Sequence, residues 1–257
     1  MPTKTILKLS PSSLNLFFEC PRCFWLRFKK GIARPEGPSS TLPRGMDYTL
    51  KNHYDHYRAK GLPPELEGKV PGRLLPDVAR VNEMRKTSFG FQVNDQVWFG
   101  GALDEALEIP DASVVPLDNK TRGFPPKAAH WTYQKQMSGY TLILREKGIA
   151  TKNVAYLAHW FLDHKHMKPD DPLAFHVKVE EVSTDPNEVR KVILEAADLL
   201  KGDMPPIGHR SGADGDEPCA FCTYREALLC LKEQNVSPPV CGTGPCTSCA
   251  ILRRGVA

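Results

Sequence analysis

Two Cys-x-x-Cys pairs stand at opposite ends of this chain of 257 residues, Cys20 with Cys23 and Cys219 with Cys222. Two thiolates three residues apart clasp one metal ion, and two such clasps complete a tetrahedral site. A shared metal requires the first helix and the C-terminal segment to lie side by side, which excludes every fold that leaves those segments apart. Cys230 follows the second pair, and Cys241, Cys246 and Cys249 sit in a Gly/Pro/Thr-rich tail. The opening MPTKTILKLSPSS lacks the apolar run of a signal peptide, and no stretch approaches the ~20 apolar residues that cross a bilayer. A cytoplasmic protein is therefore expected, whose reducing surroundings favour metal ligands over disulfides. Pro218-Cys219-x-x-Cys222 is also half of the zinc nucleobase deaminase pattern. None of the eight histidines is followed two residues later by Glu, so that chemistry is excluded.

Hydrophobic residues make up 41% of the chain and charged residues 25%, which supports a packed core and excludes wholesale disorder. The net charge of +4 is unevenly placed. Residues 1–60 hold eleven Lys/Arg against four Asp/Glu, a local +7 that leaves the remainder at −3. A basic end on a near-neutral body suits a polyanionic partner, although a solvated helix surface explains the same charge. Within that basic end, Phe24, Trp25 and Phe28 are expected in the core rather than as stacking platforms.

Residues 12–30 read as a helix capped by Ser10 or Ser12 and ended by Gly31. Further helices are expected at about 45–60 and 75–86. A β-rich block, GFQVNDQVWFGGALDEALEI, carries a turn signal at Asn94-Asp95, and Pro110–Ser113 turns into a third strand, VVPLDNK. Pro116 is awkward in that strand, because proline cannot donate to a sheet ladder. A long helix over about 127–148 follows, then strands NVAYLAHWFLD and LAFHVKVEEV, and a helix capped by Asp185. This order predicts an α/β fold, a mixed sheet flanked by helices.

The most informative stretch is Gly101-Ala-Leu-Asp104-Glu105, followed by Leu117-Asp118-Asn119-Lys120. Side chains i and i+2 of a strand share a face, so Asp118 and Lys120 point the same way. The turn at 110–113 lets the Asp104 segment lie alongside. Two carboxylates and a lysine then converge, and hard divalent cations prefer carboxylate oxygens. A lysine beside such a metal orients an attacking water and offsets developing phosphate charge. Gln136 and Tyr140, at i,i+4 on the following helix, place an amide and a phenol on one face.

The combination GALDEA, LDNKTR and QMSGY resembles the PD-(D/E)xK nuclease superfamily, in its RecB-like branch, which includes CRISPR-associated RecB-like exonucleases. The opening SPSSLNLFFECPRCFWLRFKKGI and the later CAFCTYREAL are similar to small stand-alone bacterial members. The resemblance runs from about residue 9 to 230 and implies a restriction-endonuclease-like core. It implies Asp104 and Asp118 as ligands of catalytic Mg2+ or Mn2+, Lys120 as the catalytic lysine, and Gln136 and Tyr140 as holding the nucleic-acid strand. Arg122, just after Lys120, is the further residue expected to touch substrate. Many relatives carry an upstream histidine as an extra ligand; here Asp47, His53 or His56 stands nearest that role.

The resemblance also implies a competitor to zinc at the cysteines, a four-iron cluster held by Cys20 with Cys219, Cys222 and Cys230. The spacing favours Cys20, Cys23, Cys219 and Cys222, with zinc or a cluster left open. His164 with His166, and His53 with His56, read as solvated or packed. The sequence therefore predicts a nuclease-like domain over 1–230 and a disordered tail over 231–257. The function expected is metal-dependent DNA cleavage, exonucleolytic on single strands or ends, in repair, recombination or defence. The alternative is an inactive nucleic-acid-binding or assembly module that kept the fold.

Overall fold

A computed structural model describes residues 6–35, 41–126, 131–162, 174–208 and 218–236. His164, His166 and the tail cysteines Cys241, Cys246 and Cys249 lie outside them. The chain forms two compact units, a larger one from residues 1–15 and 37–197 and a smaller one from 16–36 and 198–257. In chain order the elements are β1 (Leu7–Leu9), α1 (Pro11–Glu19), α2 (Pro21–Lys30), α3 (Leu42–Tyr57) with a 3-10 turn at Arg58–Lys60, β2 (Arg73–Leu74), α4 (Val78–Met84), β3 (Gly90–Asn94), β4 (Val97–Gly100), β5 (Glu105–Glu108), β6 (Val114–Arg122), α5 (Trp131–Glu146), β7 (Val154–Leu162), β8 (Phe175–Ser183), α6 (Pro186–Leu199) and α7 (Ala220–Val236).

The larger unit holds two sheets. Five strands run in the order β2-β5-β6-β7-β8, with β6 and β7 parallel and the other pairs antiparallel. A parallel pair needs a crossover, and α5 supplies it between β6 and β7. The second sheet has the order β1-β4-β3, with β3 and β4 joined by the hairpin turn expected at Asn94-Asp95. Ala106, opposite Pro116 on β5, turns its carbonyl the other way to accept Leu75 N–H at 2.9 Å, so Pro116 N faces the β7 side and the pairing with β5 loses no bond there. Pairing with β7 begins at Leu117, after the proline that has no N–H to donate.

Alternation along β6 sorts its side chains. Val115 and Leu117 join Leu50, Tyr54, Leu107 and Trp160 in the core on the α3 side. Each fully buried Leu there is worth about 1.5–3 kcal/mol. The opposite face of β6 meets α5, whose Met137 to Leu144 are all buried. Gly139 is required in that helix, because a Cβ there would lie 2.9 Å from Pro11 Cγ. Ser10 and Ser13 cap α1 reciprocally: Ser10 Oγ accepts Ser13 N–H at 3.2 Å, and Ser13 Oγ accepts Ser10 N–H at 2.7 Å.

The single helix expected over 12–30 is two helices. Pro21 has no N–H to continue α1 and starts α2 instead, while Cys20 takes an extended backbone as the cap of α2. In the smaller unit Phe24 and Trp25 are buried and Phe28 is half-buried, as a core position predicts. Trp25 Nε1 and Lys29 Nζ both donate to Gly202 O, at 3.2 and 2.6 Å. Helix α7 extends through Val236, past the point at 230 where an irregular tail was expected; residues 237–257 lie outside the described residues.

Candidate functional site

β6 carries the D-x-K pattern, and one residue of it sets the strand's roll. Asn119 points away from α5, and its Oδ1 accepts from Tyr54 Oη at 2.7 Å and from Trp160 Nε1 at 3.0 Å. With Asn119 fixed, Asp118 and Lys120 face α5. The backbone N–H of Asn119 donates to Asp104 Oδ2 at 3.0 Å, which delivers the carboxylate preceding β5 to the place where Asp118 stands. Lys120 Nζ lies 2.6 Å from Asp118 Oδ2, donates to Gln136 Oε1 at 3.0 Å and sits 4.8 Å from the centre of the Tyr133 ring. Gln136 Nε2 donates in turn to Tyr140 Oη at 3.0 Å. Asp104, Asp118, Lys120, Gln136 and Tyr140 therefore meet on one side of the sheet. Arg122 continues the same face, half-buried and level with Phe161 of β7.

The carboxylates are under electrostatic stress. Burial pushes Asp118 up to about 7; Lys120 opposes the shift and Asp104 reinforces it. Burial also raises Asp104, against the Asn119 N–H, and Asp47 raises it further. Asp118 Oδ2 is buried and ion-paired with Lys120 Nζ at 2.6 Å. Two buried carboxyls that resist ionising together fit a hard divalent cation. Tyr140 is raised as well, by burial and then by the charge on Asp118, so it stays a neutral phenol.

Of the three upstream residues considered for an extra ligand, Asp47 alone bears on this pair, through the charge that raises both carboxyls. It sits on α3, 2.7 Å from Lys51. His53 instead pairs with Glu65 at 3.1 Å, and His56 is exposed against Tyr57. Among the described residues, only the cysteines bring three or more such ligand atoms within 4.8 Å of one another.

Sequence reasoning missed the support behind Asp104. Glu105, the next residue, is fully buried, and its carboxylate receives Arg58 at 2.7 and 3.2 Å and Arg85 at 2.9 Å. Both arginines also bind Asp55, and Arg85 Nε donates to Asp104 O at 3.3 Å. Buried charges persist only when paired this fully. Nothing local signals the set, because α3, the 3-10 turn after it, the end of α4 and β5 supply its members from positions 55 to 105. His159 was also missed. It lies beside Lys120 on β7, fully buried, with Nε2 3.6 Å from Glu180 Oε2. Burial and then the charge of Arg122 lower its pKa, so the ring is neutral.

In the smaller unit all four predicted cysteines are buried and unbridged. Cys23 Sγ lies 3.7 Å from Cys219 Sγ and 3.6 Å from Cys222 Sγ, and Cys20 Sγ lies 3.7 Å from Cys222 Sγ. Cys20 Sγ accepts Cys23 N–H at 3.4 Å, and Arg34 donates to Cys219 Sγ at 3.7 Å, offsetting thiolate charge. Four thiols this close fit a structural metal, and the fold brings α2 and α7 together there as the spacing predicted. The backbone of Cys230 lies within α7. Gly208 has a role that the sequence did not reveal: its carbonyl accepts Cys219 N–H at 3.0 Å, and a Cβ on it would sit 2.8 Å from Cys20 Sγ.

A family model of the PD-(D/E)XK nuclease superfamily matches residues 66–227, well over half of the chain, and the chain belongs to that superfamily. Membership carries with it divalent-metal nuclease chemistry and a nucleic-acid substrate. No curated protein sequence matches the chain. Among solved structures, the crystal structure of SSO0001 is similar at 11% identity with a TM-score of 0.41, over 92% of this chain and 88% of that one. No helix among the described residues is long and apolar enough to cross a membrane.

Proposed function

We propose that this protein is a Mg2+- or Mn2+-dependent DNA nuclease of the RecB-like branch, acting as an exonuclease on single strands or DNA ends. Repair, recombination or defence is the setting for such an activity. The observation that carries the proposal is the convergence of two buried carboxyls, Asp104 and Asp118, each raised by burial, with Lys120 2.6 Å from Asp118. Asp104 and Asp118 would hold the cation, with Asp47 as the third carboxylate. A cation there supplies charge stabilisation to the scissile phosphate and acidifies a bound water. Lys120, tethered between Asp118 and Gln136 with its ammonium over the Tyr133 ring, is held at a fixed point and can orient the attacking water. Gln136, Tyr140 and Arg122 offer donors to the phosphates on either side. The inactive-module alternative was motivated by Pro116 and by the absent histidine. The pairing of Pro116 with β5 is intact, and the charge of Asp47 bears on both carboxyls, so both motives weaken.

The test is hydrolysis of labelled single-stranded DNA, duplex DNA and RNA with Mg2+, Mn2+ and Ca2+ in turn. Metal-dependent loss of single-stranded DNA, abolished by Lys120→Ala in a folded protein, is expected. Undiminished cleavage by Lys120→Ala, or binding of DNA with no hydrolysis in any metal, overturns the assignment.

For the cysteines the reading is zinc. A tetrahedral Zn2+ with ~2.3 Å bonds separates its thiolates by about 3.8 Å, close to the 3.6–3.7 Å found here. In a four-iron cluster each thiolate binds a different iron, which spreads the sulfurs to roughly 6 Å, yet all four lie within 4.8 Å. Elemental analysis of anaerobically purified protein should give one zinc per chain and no colour. A brown protein with iron and labile sulfide contradicts zinc. Thiols held in this way require the reducing interior of a cell, consistent with a cytoplasmic location.

A further inference from the structure

A cleft of about 750 Å³ opens in the larger unit beside Tyr140, within the roughly 300–1,000 Å³ common for ligand sites. It borders the residues expected to do the chemistry without containing them. Its lining runs through Gly100, Gly101 and Ala102, two residues short of Asp104. On the other side it reaches Tyr140, which is linked through Gln136 to Lys120.

The cleft wall presents an aromatic plane. Gly90 and Gly100 are directly paired across β3 and β4. A Cβ on Gly90 would fall 2.6 Å from the Trp98 indole, and one on Gly100 would fall 2.3 Å from it. The two glycines thus leave the room over the sheet that the indole occupies. Trp98 is half-buried and lines the cleft. Lys8, the register partner of Trp98 on β1, is exposed and lines the cleft as well. Ser12, Thr87 and Ser88 add exposed hydroxyls, and among the described residues no carboxylate lines the cleft.

A half-exposed indole, a lysine, several hydroxyls and no carboxylate in one lining are complementary to a base joined to a phosphate. The base must be unpaired and unstacked to lie on the ring, as single-strand binding sites require. We propose that this cleft binds a nucleotide flanking the scissile phosphate in a single DNA strand, its base stacked on Trp98 and its phosphate met by Lys8. This rests on the nuclease assignment for what happens next door, but binding itself does not need cleavage.

The test therefore measures binding in EDTA, where hydrolysis is suppressed. Anisotropy of a labelled oligothymidylate is followed with wild type, Lys8→Ala, Trp98→Leu and Trp98→Phe. Loss of one stacked base weakens binding roughly 5- to 150-fold, which is the expectation for Trp98→Leu, with Trp98→Phe intermediate. Lys8→Ala should lower the salt slope by about one. An abasic strand should bind wild type and Trp98→Leu alike, and an RNA strand of the same length reports sugar preference. If Trp98→Leu does not fold, Trp98→Phe and Lys8→Ala carry the result. Variants that bind like wild type, or duplex that binds as tightly as the single strand, overturn the cleft. A wild type that binds as described and cleaves nothing sinks the nuclease assignment and leaves the cleft standing.

Discussion

Replacing Asp118 with Asn isolates the electrostatic stress at the proposed metal site. An Asp in an unfolded chain titrates near 3.9, and burial raises Asp118 to about 7. The shift is about three units, worth about 4 kcal/mol at 1.36 kcal/mol each. Because the folded carboxyl holds its proton more tightly than the unfolded one, its stabilising contribution is complete below pH ~4. It is lost as the pH rises through about 7. Asn never ionises. Without metal, Asp118→Asn should match wild type near pH 3.5 and exceed it progressively, by about 4 kcal/mol at pH 8. At m values of about 1–3 kcal/mol/M that is a gain of roughly 1.3–4 M in the urea midpoint. Trp98, Trp131 and Trp160 all lie in the larger unit, so tryptophan fluorescence in EDTA reports chiefly on its unfolding. Adding Mg2+ at pH 8 should stabilise wild type and leave the variant unmoved. A difference that stays flat with pH, or a variant weaker than wild type at pH 8, refutes the reasoning.

Two further outcomes follow from particular contacts. Arg58→Met strips the buried Glu105 of one partner, and breaking such a pair should cost about 3–5 kcal/mol; adding Glu105→Gln should recover part of it in urea titrations. Gly208→Ala forces a Cβ against Cys20 Sγ and should raise the loss of metal to a competing chelator about 10- to 100-fold, as disturbed supporting contacts do. Retention equal to wild type would separate Gly208 from the cysteine cluster.

The parts of the site legible in the sequence were those whose spacing survives folding. Asp118 and Lys120 share a face because a strand repeats every two residues, and Gln136 and Tyr140 because a helix nearly repeats every four. The paired cysteines announced their meeting through chemistry rather than position. What stayed hidden was tertiary. Asn119, in the midst of the motif, acts through Tyr54 and Trp160, which come from elsewhere in the chain. Arg58 and Arg85 look like surface charges until β5 turns Glu105 inward. Which neighbour the nitrogen of Pro116 faces was hidden likewise, because it is set by the pairing of β6 with β5 and β7. Nothing in GFQVNDQVWFGG singles out Trp98, since only the pairing of β3 with β4 sets Gly90 beside it.

Single-turnover cleavage of labelled single-stranded DNA, measured against Mg2+ concentration in wild type, Asp104→Asn and Asp118→Asn, bears most directly on the central claim. Wild type should show a saturable dependence on the ion that vanishes in EDTA. Both variants should be folded by circular dichroism and inactive at every concentration. Cleavage by wild type in EDTA, or by either folded variant at the wild-type rate, would contradict a metal centre built on these two carboxylates.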